Sequence, residues 1–121
     1  MKINFIPTPK FKKSFKRLYK KYPSLKDDYE VFKKEFTENQ DIGDDLGGGF
    51  RKIRMSITSK NKGKSSGARI IVYNFYFQTL LNDVLLIDIY DKSELSTMQD
   101  FEYQKIAQEF IKNWEEQQCQ T

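Results

Sequence analysis

The chain is expected to fold as an α+β domain, a small and mainly antiparallel β-sheet packed against an N-terminal helical hairpin, in the order β-α-α-β-β-β-α. Three observations predict this. Apolar residues recur at helical spacing from Phe11 to Phe36, alternate with polar ones from Phe50 to Thr58, and run almost unbroken from Val84 to Tyr90. The length, 121 residues, suits one modest core, so residues 1–121 are read as a single domain with a polar tail from about 115.

Lys2 to Ile6 alternates polar and apolar and predicts a first strand, stopped by Pro7-Thr8-Pro9 because neither proline can donate a ladder hydrogen bond. Thr8 is placed to cap a helix with Pro9 at its first position. Phe11, Phe15, Leu18, Tyr19 and Tyr22 form that helix's apolar stripe, leaving the lysines on the other side. Pro23 ends it, and Ser24 is placed to cap a second helix striped by Leu25, Tyr29, Phe32 and Phe36. Thr37 to Gly49 holds four glycines and four acids and reads as loop. Within Phe50–Thr58, Ile53, Met55 and Ile57 share one face and Lys52, Arg54 and Ser56 the other. In the next strand, Ala68 to Tyr76, Arg69, Ile71, Tyr73 and Phe75 fall opposite Ile70 and Val72. Asn82-Asp83 predicts a turn into a last strand, Val84 to Tyr90, whose near-continuous apolar run places it centrally. Ser96 to Trp114 predicts a closing helix, with Met98, Phe101, Ile106, Phe110, Ile111 and Trp114 as its apolar residues.

Hydrophobic residues make up only 38% of the chain, but they include ten Phe and seven Tyr, whose large rings close a core with few members. The net charge of +4 is unevenly spread. Lys10–Lys21 and Arg51–Arg69 each carry seven basic residues and no acid, whereas nine acids face three lysines from Asp83 onward. Such polarity predicts a cationic face for a polyanion and a separate acidic end. There is no histidine, which removes the usual neutral-pH acid/base and the commonest metal ligand, so no metal or cofactor is expected. The single cysteine, Cys119, lies in a polar stretch and reads as a reduced thiol. No leader-like or membrane-length apolar run is present, and a cytoplasmic location without membrane attachment is expected.

The densest chemistry lies between Gly47 and Tyr73. Gly63-Lys64-Ser65 suggests a phosphate loop, but Thr58 stands where that pattern needs its earlier glycine, and a hairpin replaces strand-loop-helix. Lysines on an exposed loop usually serve only solubility. Here Lys60, Lys62 and Lys64 are flanked by Arg51, Lys52 and Arg54 on one strand and Arg69 on the next, and antiparallel pairing draws the strand cations together. Such a cluster repels itself unless an anion relieves it. The lysine side of the first helix, including Lys16 and Lys20, reads either as a solvated face or as a track for nucleic-acid backbone. Tyr90 and Lys92 close the last strand. There a tyrosine either packs at a sheet end, stacks on a base or donates a proton. Asp91 and Glu94 read as local helix-start acids.

GGFRKIR, KNKGKSSGARIIVY and LLIDIYDKSELS, in that order, resemble the RelE/HigB group of bacterial type II toxins. In that group a G-x-R-K-x-R strand leads through a K-G-K loop to G-G-x-R-[VI]-I-Y, and a final strand ends Y-x-K-x-E. The likeness in element order covers nearly the whole chain, with motifs confined to Gly48–Ser96. Ser66 departs from it, standing where the group often has a glycine, and Lys10–Lys21 is more basic than the motif requires. The resemblance implies the toxin of a toxin–antitoxin module, a metal-free mRNA interferase that cuts message on the ribosome and is held by a cognate antitoxin. It implies Arg54 and Arg69 on the phosphate and Lys62 or Lys64 as base. Tyr90 or Lys92 would then act as acid or stack on a base, and Arg51, Lys52, Lys60, Lys16 and Lys20 would bind RNA. Two alternatives stay open: a ParE-like gyrase inhibitor on the same fold, and a non-catalytic nucleic-acid-binding module.

Overall fold

A computed structural model describes residues 3–60, 66–75, 82–95 and 98–119, with side chains at all of these but 75, 82 and 117–119. Within them the chain is α+β, with three α-helices and a five-stranded, mostly antiparallel sheet. The elements are β1 (Ile3–Pro7), α1 (Pro9–Lys21), α2 (Leu25–Glu38), β2 (Asp44–Gly47), β3 (Phe50–Met55), β4 (Ala68–Phe75), β5 (Asn82–Asp91) and α3 (Asp100–Cys119), with a 3-10 turn at Thr58–Lys60. The spatial order is β1-β5-β4-β3-β2, and β1 runs parallel to β5.

α1 begins as its sequence dictates. The Thr8 hydroxyl oxygen accepts the Phe11 N–H at 3.0 Å and its hydroxyl donates to the Ile87 carbonyl at 2.8 Å, so one side chain caps the helix and pins it to β5. α1 and α2 bury Phe11, Leu18, Leu25, Phe32 and Phe36 against Ile53, Met55, Ile70, Val72, Leu86 and Ile89 on one sheet face. The other face carries Phe50, Ile71, Leu85, Ile87 and Tyr90, covered by Met98 and by Tyr103 and Ala107 of α3. β5 therefore has a strand on each side and core on both faces, which is what its nearly unbroken apolar run requires. A bulge at Ile87 shifts its register against β4, pairing Ile71 with Asp88 but Val72 with Leu86.

Five expectations need correction. Asp44–Gly47, read as loop, is a fourth antiparallel strand, so the order is β-α-α-β-β-β-β-α. Asp and Gly disfavour strands locally. Here Arg51 overrides them, donating from Nε to the Ile42 carbonyl at 3.1 Å and from Nη2 to those of Asp41 and Gly43 at 2.6 and 3.2 Å. Gly47, Gly48 and Gly49 then turn the hairpin at φ of +86°, +61° and +93°, open only to glycine at low cost. Asn82-Asp83 is no turn but the start of β5, paired to Ile3 and Phe75. Ser24 holds the N-cap position of α2, but its side chain makes no capping hydrogen bond there. Its hydroxyl donates to Asp28 at 2.8 Å and accepts the Ser59 N–H at 2.8 Å, tying the helix hairpin to the 3-10 turn.

The closing helix spans Asp100–Cys119, starting later and running on through the stretch read as a polar tail. Phe101 stands 69% exposed, because the stripe that faces the sheet is Tyr103, Ile106, Ala107 and Phe110. Two of those, a tyrosine and an alanine, are weak apolar signals in sequence.

A candidate phosphate site on the sheet

Antiparallel register places three of the expected site residues in one row. Arg54 of β3 pairs with Arg69 of β4, and Arg69 pairs with Tyr90 of β5. Alternation settles their face. Ile53 and Met55, Ala68 and Ile70, and Ile89 all point to the α1/α2 side, so Arg54, Arg69 and Tyr90 share the α3 side. Lys52 joins them one pleat away, half-buried, between Ile71 on β4 and Asp44 on β2.

Exposure falls along the row. The Arg54 side chain is exposed, whereas Arg69 and Tyr90 are 3% and 4% exposed. Burial pushes the Arg69 pKa below its ordinary value and the Arg54 charge adds to that, while Tyr90 and Asp44 act in the opposite sense. The exposed Arg54 presents a planar fork that suits a phosphate, and the buried Arg69 behind it adds positive charge to the same spot. Tyr90 sits among Ile71, Leu85, Ile87 and Met98 with its hydroxyl buried. A ring in that setting offers no open face to a nucleobase, so the expected stacking role does not fit. Lys92 lies in the exposed turn that follows, its N–H bonded to the Gly67 carbonyl at 3.1 Å.

Gly67 makes that junction possible. A Cβ there would lie 2.2 Å from the Met55 carbonyl oxygen, so only glycine lets β4 start this close to the end of β3. The end of β3, the start of β4 and the end of β5 thus meet at one corner, where Met55, Ala68 and Asp91 pair across the strands. Lys62 and Lys64 lie outside the described residues.

Of the remaining basic residues, Lys60 is at this corner but turned inward, and Arg51, Lys16 and Lys20 lie elsewhere. Lys60 is internal: its ammonium donates to Asp91 Oδ1 at 2.6 Å, the Ser66 carbonyl at 3.0 Å and Ser93 Oγ at 3.3 Å. With 13% of its side chain exposed, it anchors the loop and does not present a charge to RNA. Arg51 is likewise committed to the carbonyls of Asp41, Ile42 and Gly43, just before β2. Lys16 and Lys20 are exposed on the outer side of α1, away from the arginine row.

Asp91, expected as a helix-start acid, is instead the fully buried hub of this corner. It accepts from Lys60, from the Tyr22 hydroxyl at 2.6 Å and from Ser93. Burial alone would raise its carboxyl, but the bonds from Lys60, Tyr22 and Ser93 outweigh that and hold it well below the usual carboxylate range. Glu94 pairs with Arg17 and Lys21 at 2.9 and 3.2 Å, clamping α1 to the end of β5. Asp44 was missed as a neighbour of the row because nothing local marks β2 as a strand. Among the described residues no group of His, Cys, Asp and Glu is placed to hold a metal, and no helix is long and apolar enough to cross a membrane. No protein-family model matches the chain.

Proposed function

We propose that the chain is an RNA-cleaving toxin of a toxin–antitoxin module, a metal-independent endoribonuclease acting on message at the ribosome and restrained by an antitoxin protein. One observation carries the reading: Arg54, Arg69 and Tyr90 stand in register across three strands beside the end of a lysine-bearing loop. In the proposed reaction a ribose 2′-oxygen attacks the adjacent phosphorus as its proton passes to a loop lysine, Lys62 or Lys64. The bond to the 5′-oxygen breaks, that oxygen takes a proton, and a 2′,3′-cyclic phosphate remains. Arg54 meets the phosphate first and Arg69 backs it, so negative charge building on the phosphoryl oxygens falls between two guanidinium groups. Lys92, in its exposed turn, is the accessible donor for the leaving oxygen, whereas Tyr90 supports Arg69 from the buried end of the row.

Mapping RNA ends after brief induction in bacteria tests the reading. Codon-phased breaks that disappear in Arg54→Ala support it. Arrested replication with intact message points instead to gyrase inhibition, and neither effect leaves a nucleic-acid-binding module.

A further inference from the structure

The turn that follows β5 is held from outside the strand, at both of its ends. At the near end the buried Asp91 carboxylate accepts Lys60 and the Tyr22 hydroxyl, each at 2.6 Å. It also takes the Ser93 N–H and hydroxyl at 3.0 and 2.8 Å, while the Asp91 carbonyl takes the N–H groups of Glu94 and Leu95 at 3.0 Å. At the far end Glu94 binds Arg17 through one carboxylate oxygen and Lys21 through the other, at 2.9 and 3.2 Å. Arg17 and Lys21 stand one turn apart near the end of α1, so they close on Glu94 from the same side of that helix. The bond to Glu94, followed by that to Tyr22, raises the Lys21 pKa above its ordinary value, which keeps this half of the clamp charged well above neutral pH.

Lys92 lies between the two holds. Its bond to the Gly67 carbonyl continues the β4–β5 ladder one step past the Ala68–Asp91 pair. Alternation then returns Lys92 to the side of the sheet that carries Tyr90, Arg69 and Arg54. Arg69 pairs with Tyr90, so Lys92, two residues on, is its diagonal neighbour, a separation that a long side chain spans. Arg17, Lys21 and Lys60 each have a carboxylate partner, whereas the exposed Lys92 has none among the described residues. Both acids of the turn thus hold its backbone in place, and one ammonium is left uncommitted.

We infer that Glu94 is a positioning residue for Lys92: gripped by Arg17 and Lys21 of α1, it fixes the far end of the turn so that the Lys92 ammonium stands beside the Arg54–Arg69 row. The inference rests on the nuclease reading. There a proton moves from Lys92 Nζ to the 5′-oxygen as its bond to phosphorus breaks, and water reprotonates the neutral amine. The Asp91 hub cannot do this alone, because its bonds reach the turn's backbone and Ser93 but leave the Glu94 side free to swing. An exposed ion pair adds little to stability, whereas a shift of about 1 Å in a reacting group can cost about a hundredfold in rate. The clamp therefore matters more for geometry than for holding the fold together.

The rate of RNA cleavage by the purified full chain with ribosomes, followed against RNA concentration, tests this in a double-mutant cycle. Glu94→Gln should lower kcat about tenfold with KM within about twofold, and Arg17→Ala/Lys21→Ala should do the same from the other side. In a Lys92→Ala background, Glu94→Gln should cost less than about twofold more, because its effect runs through Lys92. Glu30→Gln, which breaks a similar surface pair with Lys33 on α2, should leave the rate unchanged. Melting of each variant should shift by no more than a few degrees, since these side chains lie at the surface. Three results overturn the inference while the nuclease reading stands: full activity in Glu94→Gln, an equal loss with and without Lys92, or a raised KM at unchanged kcat. RNA left intact by the parent overturns both.

Discussion

Arg54 and Arg69 hold the same charge in opposite settings. Arg54 is solvated, so Arg54→Ala should leave stability within about 0.5 kcal/mol of the parent while lowering RNA cleavage about a hundredfold or more. Urea unfolding and a cleavage assay read the two quantities separately. The Asp91–Lys60 pair is buried, and removing one partner strands the other. Asp91→Asn should therefore cost about 3 kcal/mol or more at neutral pH. Its acid limb gives a second check. The Asp91 carboxyl is depressed in the folded state, so its contribution is full above the unfolded value of about 3.9 and is lost as pH falls toward the folded value. Burial raises Asp88, with Ser14, Lys10 and the Ile89 N–H only partly opposing it, so its contribution has the reverse sign and fades as pH rises through its folded value. Melting followed below about pH 5 should show a steep loss in the parent and a flatter one in Asp91→Asn. An unchanged slope would remove Asp91 from the centre of the corner.

At the scale of elements, the legible parts were those whose signal is local. The Thr8-Pro9 start of α1, the alternation of β3 and β4 and the buried run of β5 each follow from side chains next to one another in sequence. Arg54 and Arg69 were legible for the same reason, since alternation fixes a face and antiparallel pairing brings the strands together. What could not be read depends on distant partners. β2 exists because Arg51 gathers carbonyls from the segment before it, and Lys60 turns inward because Asp91 waits at the end of another strand. A lysine in a basic loop looks the same in sequence whether it faces RNA or a buried carboxylate. Arg51→Ala should therefore act on β2 first, costing about 1 kcal/mol, since the exposed Asp41 and Gly43 carbonyls take up water while the part-buried bond to Ile42 is lost. Hydrogen exchange at residues 44–47 should quicken well before that of β5; uniform quickening across the sheet would contradict this role.

Over the whole molecule, charge and shape divide the labour. The α3 side of the sheet carries the arginine row, the outer side of α1 carries lysines around an apolar groove, and acids predominate from Asp83 onward. A polyanion meeting this surface should bind with strong salt dependence, and Arg54→Ala should reduce the slope of log affinity against log salt by about one phosphate contact. The central claim, that the row joins RNA and cleaves it, is most directly tested by one measurement. RNA is incubated with the purified chain and ribosomes, and the 3′ ends of the fragments are determined for the parent and for Arg54→Ala. Parent-dependent fragments ending in 2′,3′-cyclic phosphate, lost in the variant, are predicted; intact RNA with the parent, or identical fragments from both proteins, would contradict the claim.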